Sequence, residues 1–244
     1  MKNFKLTIEY DGRGFNGWQL QTYTDNTVQF YVEKALSVFL NEKIKVFASG
    51  RTDSGVSAYN QVANVFYEKD LTHHRTLYSL NSLLPPVITI KSIKEVPFNF
   101  NSRRGAKKRE YIYQISTERK SINGDFFYFP KGKLDLDRIN KCILFLKGKH
   151  SFESVCKNKT DKHNFECNIF DLSYKVYKQK GEIIFKISAD RFLHSMVRAI
   201  MGLLIDAAKH KAEVKDIEAK FKKGEKLKTI YLPAEPLFLN KIYY

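Results

Sequence analysis

The sequence predicts a mixed α and β fold in two similar halves, and three observations carry that prediction. Runs of period-two alternation stand between stretches with an apolar residue at every third or fourth position. The order strand, helix, strand, strand occurs twice, on either side of a basic, aperiodic stretch around residues 97–108. The length, 244 residues, suffices for two modest domains or one large one, and easily for a buried core. No side-by-side repeat of the residues themselves is visible, so the similarity lies in the pattern alone.

In the first half, Phe4 to Tyr10 alternates and ends at Asp11-Gly12, a strand followed by a turn. Thr27 is placed to N-cap a helix whose apolar stripe is Val28, Val32, Ala35, Leu36, Phe39 and Leu40. Short strands are predicted over Ile44 to Ala48 and Gln61 to Tyr67. A second helix over Leu71 to Leu84 is stopped by Pro85-Pro86, and Val87 to Val96 returns as a strand.

The domain boundary falls at the basic stretch, giving an N-terminal half over 1–104 and a C-terminal half over 105–244. Arg109 to Ile115 alternates so that Arg109, Tyr111 and Tyr113 share one strand face. A helix is predicted over Leu136 to Leu146, and Ile169 to Val176 pairs with Ile183 to Ala189 as a hairpin around Lys180-Gly181. Phe192 to Lys209 is the strongest helix, with His194, Ser195, Arg198, Gly202 and Lys209 on one polar or small-residue stripe. Ala212 to Lys223 reads as a basic amphipathic helix, and Phe238 to Tyr243 as a final strand of the second half.

Composition narrows the function. Forty-two Lys and Arg against 26 Asp and Glu leave a net charge of +16, which favours a polyanionic partner. No apolar run approaches membrane length and the start shows no signal-peptide pattern, so a cytoplasmic protein with no membrane partner is expected. Cys142, Cys156 and Cys167 are odd in number and lack C-x-x-C spacing, and the six histidines form no ligand pattern. Neither a disulfide framework nor a metal site is expected.

Two stretches carry the chemistry. Gly50-Arg51-Thr52-Asp53-Ser54-Gly55-Val56-Ser57-Ala58 puts a carboxylate where a strand gives way to a glycine-punctuated turn, and it is either an Arg-Asp pair decorating a surface turn or a carboxylate held by the sheet with its oxygens toward a cleft. Tyr10 to Gln21 packs Gly12, Gly14, Gly17, Trp18, Gln19 and Gln21 into one loop, which is either a binding loop or a connection with Trp18 as its core plug. Tyr111 is either a core aromatic or a stacking platform between basic residues. Arg198 either faces solvent from its helix or is buried against a carboxylate, for which Asp53 is the candidate.

Gly50 to Ala58 with Gln61 and Val62 resembles GRTDxGVHAxxQV, the active-site signature of the tRNA pseudouridine synthase A (TruA) family, with Ser57 in place of its histidine. The resemblance extends over nearly the whole chain in family order. Tyr10 to Gln21 matches YDGxxFxGWQxQ, Arg109 to Tyr113 matches R-x-Y-x-Y, Gly148 to Phe152 resembles GxHDF with Ser151 at the aspartate, and Phe192 to Arg198 resembles FLxHMVR. Pro233 to Leu239 resembles PAxGLxL, with Pro236 at the glycine.

The resemblance implies an α+β fold of two ferredoxin-like (RRM-like) halves, their antiparallel sheets joined around a central basic cleft with helices outside. It implies isomerisation of uridine to pseudouridine in the anticodon stem-loop of tRNA, without a cofactor, by a homodimer. Asp53 is then the catalytic nucleophile, Arg198 its ion-pair partner, and Tyr111 both a catalytic residue and the platform for the target base. Arg51, Gln19, Arg103 and Arg109 are the further substrate-binding candidates, Arg51 as a phosphate contact or as a plug for the vacated stack. Two other classes stay open: a tRNA-binding protein on the same scaffold without catalysis, which the Ser57 and Ser151 departures keep alive, and an aspartate-nucleophile phosphotransferase, which would want a second nearby acid and a metal where Arg51 to Gly55 supplies no second acid.

Overall fold

The computed structural model describes residues 1–157 and 164–244. They form two compact units, Met1–Arg109 with Phe238–Tyr244, and Glu110–Leu237.

The first unit opens with β1 (Lys2–Tyr10), whose Phe4, Leu6, Ile8 and Tyr10 are all buried, as the alternation requires. Helix α1 (Val28–Leu40) starts at Thr27, whose hydroxyl accepts from the amide of Phe30, and ends at Asn41 in the left-handed region. Then come β2 (Phe47–Ala48), β3 (Ser57–Tyr67), α2 (His74–Leu83) and β4 (Ile88–Val96). β1 lies between β3 and β4, antiparallel to both, so that Leu6 faces Ala63 on one side and Ile93 on the other.

β2 is shorter than the predicted strand over 44–48, and its partner is β3. The reason is a competition for backbone donors. The amide of Ile44 goes to Ser37 Oγ at 2.9 Å and that of Val46 to Glu33 Oε1 at 2.9 Å, so α1 side chains take donors that a strand ladder would use.

The second unit contains most of β5 (Lys108–Ser116), then α3 (Leu136–Leu146), β6 (Gly148–Ser151), β7 (Glu166–Tyr177), β8 (Glu182–Ala189), α4 (Met196–Ala208) and α5 (Val214–Lys222). Its strand order is β5-β8-β7-β6. Asp135 caps α3 by accepting from the amides of Asp137 and Arg138. Gly181, at φ +59, closes the β7–β8 hairpin where the sequence places its turn.

Helix α4 corrects the predicted helix over 192–209. Ser195 is left-handed, at φ 56, and the amide of Met196 turns back to Leu193 O, so the chain bends before the helix begins. His194 and Ser195 therefore leave the predicted stripe. Gly202, a further member, does not face solvent either. A Cβ on Gly202 would stand 1.9 Å from Ile230 O, because residues 229–232 lie directly on the helix.

The last strand, β9 (Leu237–Tyr243), is predicted as part of the second half. Phe238–Tyr244 clusters with the first unit, where β9 runs parallel to β3 and Phe238 stacks on Tyr59 at 5.0 Å.

Candidate active site

In the first unit the two motif loops interlock. Trp18 N donates to Thr52 O at 3.2 Å, Ser54 Oγ to Phe15 O at 3.0 Å, and Gly12 N to Ser57 Oγ at 2.9 Å. Backbone meets backbone closely here. A Cβ on Gly12 would lie 2.1 Å from Val56 O, and one on Gly17 2.7 Å from Thr52 O. Gly17 also has φ +85, so both the close approach and the turn demand glycine.

Trp18 is 1% exposed, with its ring 5.8 Å from that of Tyr10, so it plugs the core under the loop rather than reaching for a ligand. Tyr10 OH and Thr52 Oγ1 share a hydrogen bond of 2.8 Å, and burial pushes the Tyr10 phenol well above its ordinary range. Thr52 is thus anchored on both sides. Asp53 follows it half-buried, in a turn closed by the Val56 amide on Asp53 O at 3.1 Å with Gly55 at φ +81.

The departure at Ser57 has a local account. Its hydroxyl, 1% exposed, accepts the amide of Gly12 and so helps to lock the two loops together. Arg51 is exposed, and its Nε donates to Gln19 Oε1 at 3.0 Å, which brings together two predicted substrate contacts.

Arg103 and Arg109 meet as well. Arg109 Nη2 donates to Arg103 O at 2.9 Å and to Ser49 O at 3.0 Å, while Nη1 donates to Ala106 O at 3.3 Å. The basic stretch is therefore fastened to the strand end from which the Asp53 loop springs. Arg103 and Arg104 stay exposed, their amides both held by Asn101 Oδ1.

Three positioning residues escape sequence reasoning. Asn3 Nδ2 bonds the carbonyls of Pro97, Phe98 and Phe100, Asn64 Nδ2 donates to Asn3 Oδ1 at 3.2 Å, and Asn64 Oδ1 accepts from Ser102 N. Tyr244 OH donates to Ser102 O at 2.9 Å, and burial pushes this phenol up to about 12. A polar residue at an outward strand position looks like solvent-facing pattern, so nothing in the alternation marks Asn3 or Asn64.

The second unit holds Tyr111 and Arg198. Tyr111 is buried, with its ring edge-on to Phe192 at 5.2 Å, and the neighbouring Tyr113 OH donates to Pro233 O at 3.0 Å. Arg198, in the first turn of α4, donates from Nε to Leu232 O at 2.6 Å, and its own carbonyl accepts the Leu232 amide at 3.4 Å. Asp53 lies in one unit and Arg198 in the other.

Among the described residues no group of three His, Cys, Asp or Glu is placed to hold a metal ion. The three thiols are buried.

The family model described as tRNA pseudouridine synthase matches residues 143–244. The tRNA pseudouridine synthase A of Chlorobium phaeobacteroides is 37% identical over 246 residues, covering 100% of this chain and 94% of that protein. Its namesake in Pelodictyon phaeoclathratiforme is 41% identical over 216 residues, covering 88% of each chain. That of Oenococcus oeni is 31% identical over 252 residues, covering 100% of this chain and 98% of the other. With such identity over its full length, the chain belongs to the tRNA pseudouridine synthase A family.

Proposed function

We propose that this protein isomerises uridine to pseudouridine in the anticodon stem-loop of tRNA, with Asp53 as nucleophile. The observation that carries the proposal is the interlocked pair of loops, which fixes the backbone of Thr52 and Asp53 from several sides while leaving Asp53 half-buried. A nucleophile needs such support, because misplacement by an ångström costs much of the rate.

The reaction breaks the C1′–N1 bond, turns the uracil, and forms a C1′–C5 bond; C5 loses a proton and N1 gains one, so the change is an isomerisation. A carboxylate suits it, since it can attack the sugar or the ring and still depart. Arg198 pairs with Asp53 and keeps it ionised and aimed; the Leu232 carbonyl, by holding Nε, orients the guanidinium for that task. Tyr111 stacks on the flipped uracil, braced by Phe192. Arg51, steadied by Gln19, contacts phosphate or fills the vacated stack, and Arg103 and Arg109 belong to the basic surface that receives the stem-loop.

The β-α-β-β-α-β order of β1 to β4 supports a ferredoxin-like first half, and the second half is proposed as its counterpart, with the domain boundary near residue 104. The working assembly is a homodimer, and its compartment is the cytoplasm. The inactive-scaffold alternative loses part of its support, because the Ser57 hydroxyl has structural employment in the loop lock.

The test is tritium release from tRNA labelled at uracil C5, comparing the wild type with Asp53→Asn at matched tRNA binding. Release by the wild type alone establishes the activity and its nucleophile. Tight binding without release by either protein leaves a tRNA-binding protein on a synthase scaffold.

A further inference from the structure

Tyr111 and Tyr113 share one face of β5, and the function proposed above uses only the first. Tyr113 is fully buried, and its hydroxyl donates to Pro233 O at 3.0 Å. We infer that Tyr113 is a positioning residue for Arg198, acting through the Leu232-Pro233 segment that holds the guanidinium; this rests on the role proposed above for Arg198.

No ladder fixes that segment. Residues 225–236 lie outside helix and strand, yet their Leu232 carbonyl accepts Arg198 Nε at 2.6 Å. Its place depends on individual bonds. Thr229 Oγ1 donates to Ala199 O at 3.1 Å and the Leu232 amide to Arg198 O at 3.4 Å, which ties the segment to the helix that carries Arg198. Tyr113 OH on Pro233 O, and Gln114 N on Pro236 O at 3.0 Å, tie it to β5. The arginine is thereby referred to the sheet as well as to its own helix.

Proline makes the link between the two side chains short. Pro233 has no N–H, so its carbonyl is the only backbone group by which that residue can be hydrogen-bonded. The ring also fixes φ at about −65°, which leaves ψ of Pro233 as the one soft torsion between the carbonyl on Arg198 and the carbonyl on Tyr113. A tilt of one carbonyl moves the other.

A buried tyrosine hydroxyl ordinarily needs only some acceptor. This one has taken the carbonyl next to the acceptor of Arg198, from a strand in the sheet. Burial pushes the phenol well above its ordinary range, against the opposing pull of Arg198, so the hydroxyl keeps the proton that it donates.

The test pairs a spectroscopic readout with kinetics for Tyr113→Phe, which removes the hydroxyl and keeps the ring. In protein isotope-labelled at its arginines, the Nε–H resonance of Arg198 is the one that Arg198→Lys abolishes, and its exchange with water is measured. Tyr113→Phe is expected to speed that exchange about tenfold and to lower kcat for tritium release about tenfold, with KM and the urea midpoint little changed. Thr229→Val, which loosens the same segment from its other side, should act in the same direction. Tyr174→Phe, which removes a hydroxyl bonded to Asn140 Oδ1 at 3.0 Å, is the control and should move neither readout. Unchanged exchange in Tyr113→Phe, equally fast exchange in the control, or faster exchange with an unchanged kcat would overturn the inference. A wild type that binds tRNA without releasing tritium defeats the proposed activity instead, and the exchange rate alone then decides whether Tyr113 holds Arg198.

Discussion

The guanidinium of Arg109 donates to the carbonyl of Ser49 at 3.0 Å, across sixty residues of sequence. The same Nη2 reaches Arg103 O at 2.9 Å, so one side chain joins the root of the Asp53 loop to the basic stretch. Arg109→Ala is expected to cost about 1.5–3 kcal/mol, as for the loss of a charged hydrogen bond with a part-buried acceptor, measured by urea unfolding. Pseudouridine formation should fall along with it. Arg109→Lys, with a single ammonium and no fork, should recover stability only in part; full recovery of both properties would show that the fork is not needed.

Gly17→Ala should damage turnover more than tRNA affinity. The new Cβ would meet Thr52 O at 2.7 Å from a φ of +85, and the neighbour that must give way is the backbone beside Asp53. Strain of this kind costs on the order of 1–3 kcal/mol. Steady-state kinetics on tRNA should give a lowered kcat with KM little changed; an unchanged kcat would free the Asp53 loop from dependence on this contact.

Gly202→Ala acts at the other unit. A Cβ placed 1.9 Å from Ile230 O must displace residues 229–232, and Leu232 O is the acceptor that holds Arg198 Nε. Stability should drop by ~3 kcal/mol, the upper end for overpacking, seen as a lowered urea midpoint. Activity under folding conditions should also fall, because the Arg198 anchor moves with the segment.

The cysteines give a pH prediction. Burial pushes the Cys142 thiol up to about 11 and Cys167 up to about 12. The native state therefore keeps protons that the unfolded chain begins to lose near pH 8.5. These two groups contribute full stability below that pH, and the contribution fades as pH climbs toward 11–12. At pH 8 a thiol reagent should label neither residue in the folded protein and both after denaturation; rapid native labelling would contradict their burial.

Much of this molecule is written locally. The alternation of Phe4, Leu6, Ile8 and Tyr10 specifies β1, Thr27 and Asp135 mark the starts of α1 and α3, and Gly181 marks a turn, because each is a contest settled within a few residues of backbone. The motif residues around Asp53 were legible for the same reason, since a strand end, two glycines and a carboxylate form a local pattern.

Tertiary structure decided what depends on partners distant in sequence. Trp18 became a core plug because Tyr10 and the Thr52 backbone surround it, a choice its own loop could not make. The strand predicted over 44–48 shrank to two residues because Glu33 and Ser37 took its amides, and the helix predicted from Phe192 began only at Met196 because Ser195 turned left-handed. Asn3 and Asn64 looked like outward polar positions until a stretch almost a hundred residues on from Asn3 covered them, with carbonyls for Asn3 and the Ser102 amide for Asn64. Sequence by itself determined which segments alternate, which turn and where the Asp53 motif lies, since those follow from side-chain period and backbone sterics. Only the folded chain decided which polar groups meet, because a hydrogen bond between residues far apart leaves no periodic trace in either segment.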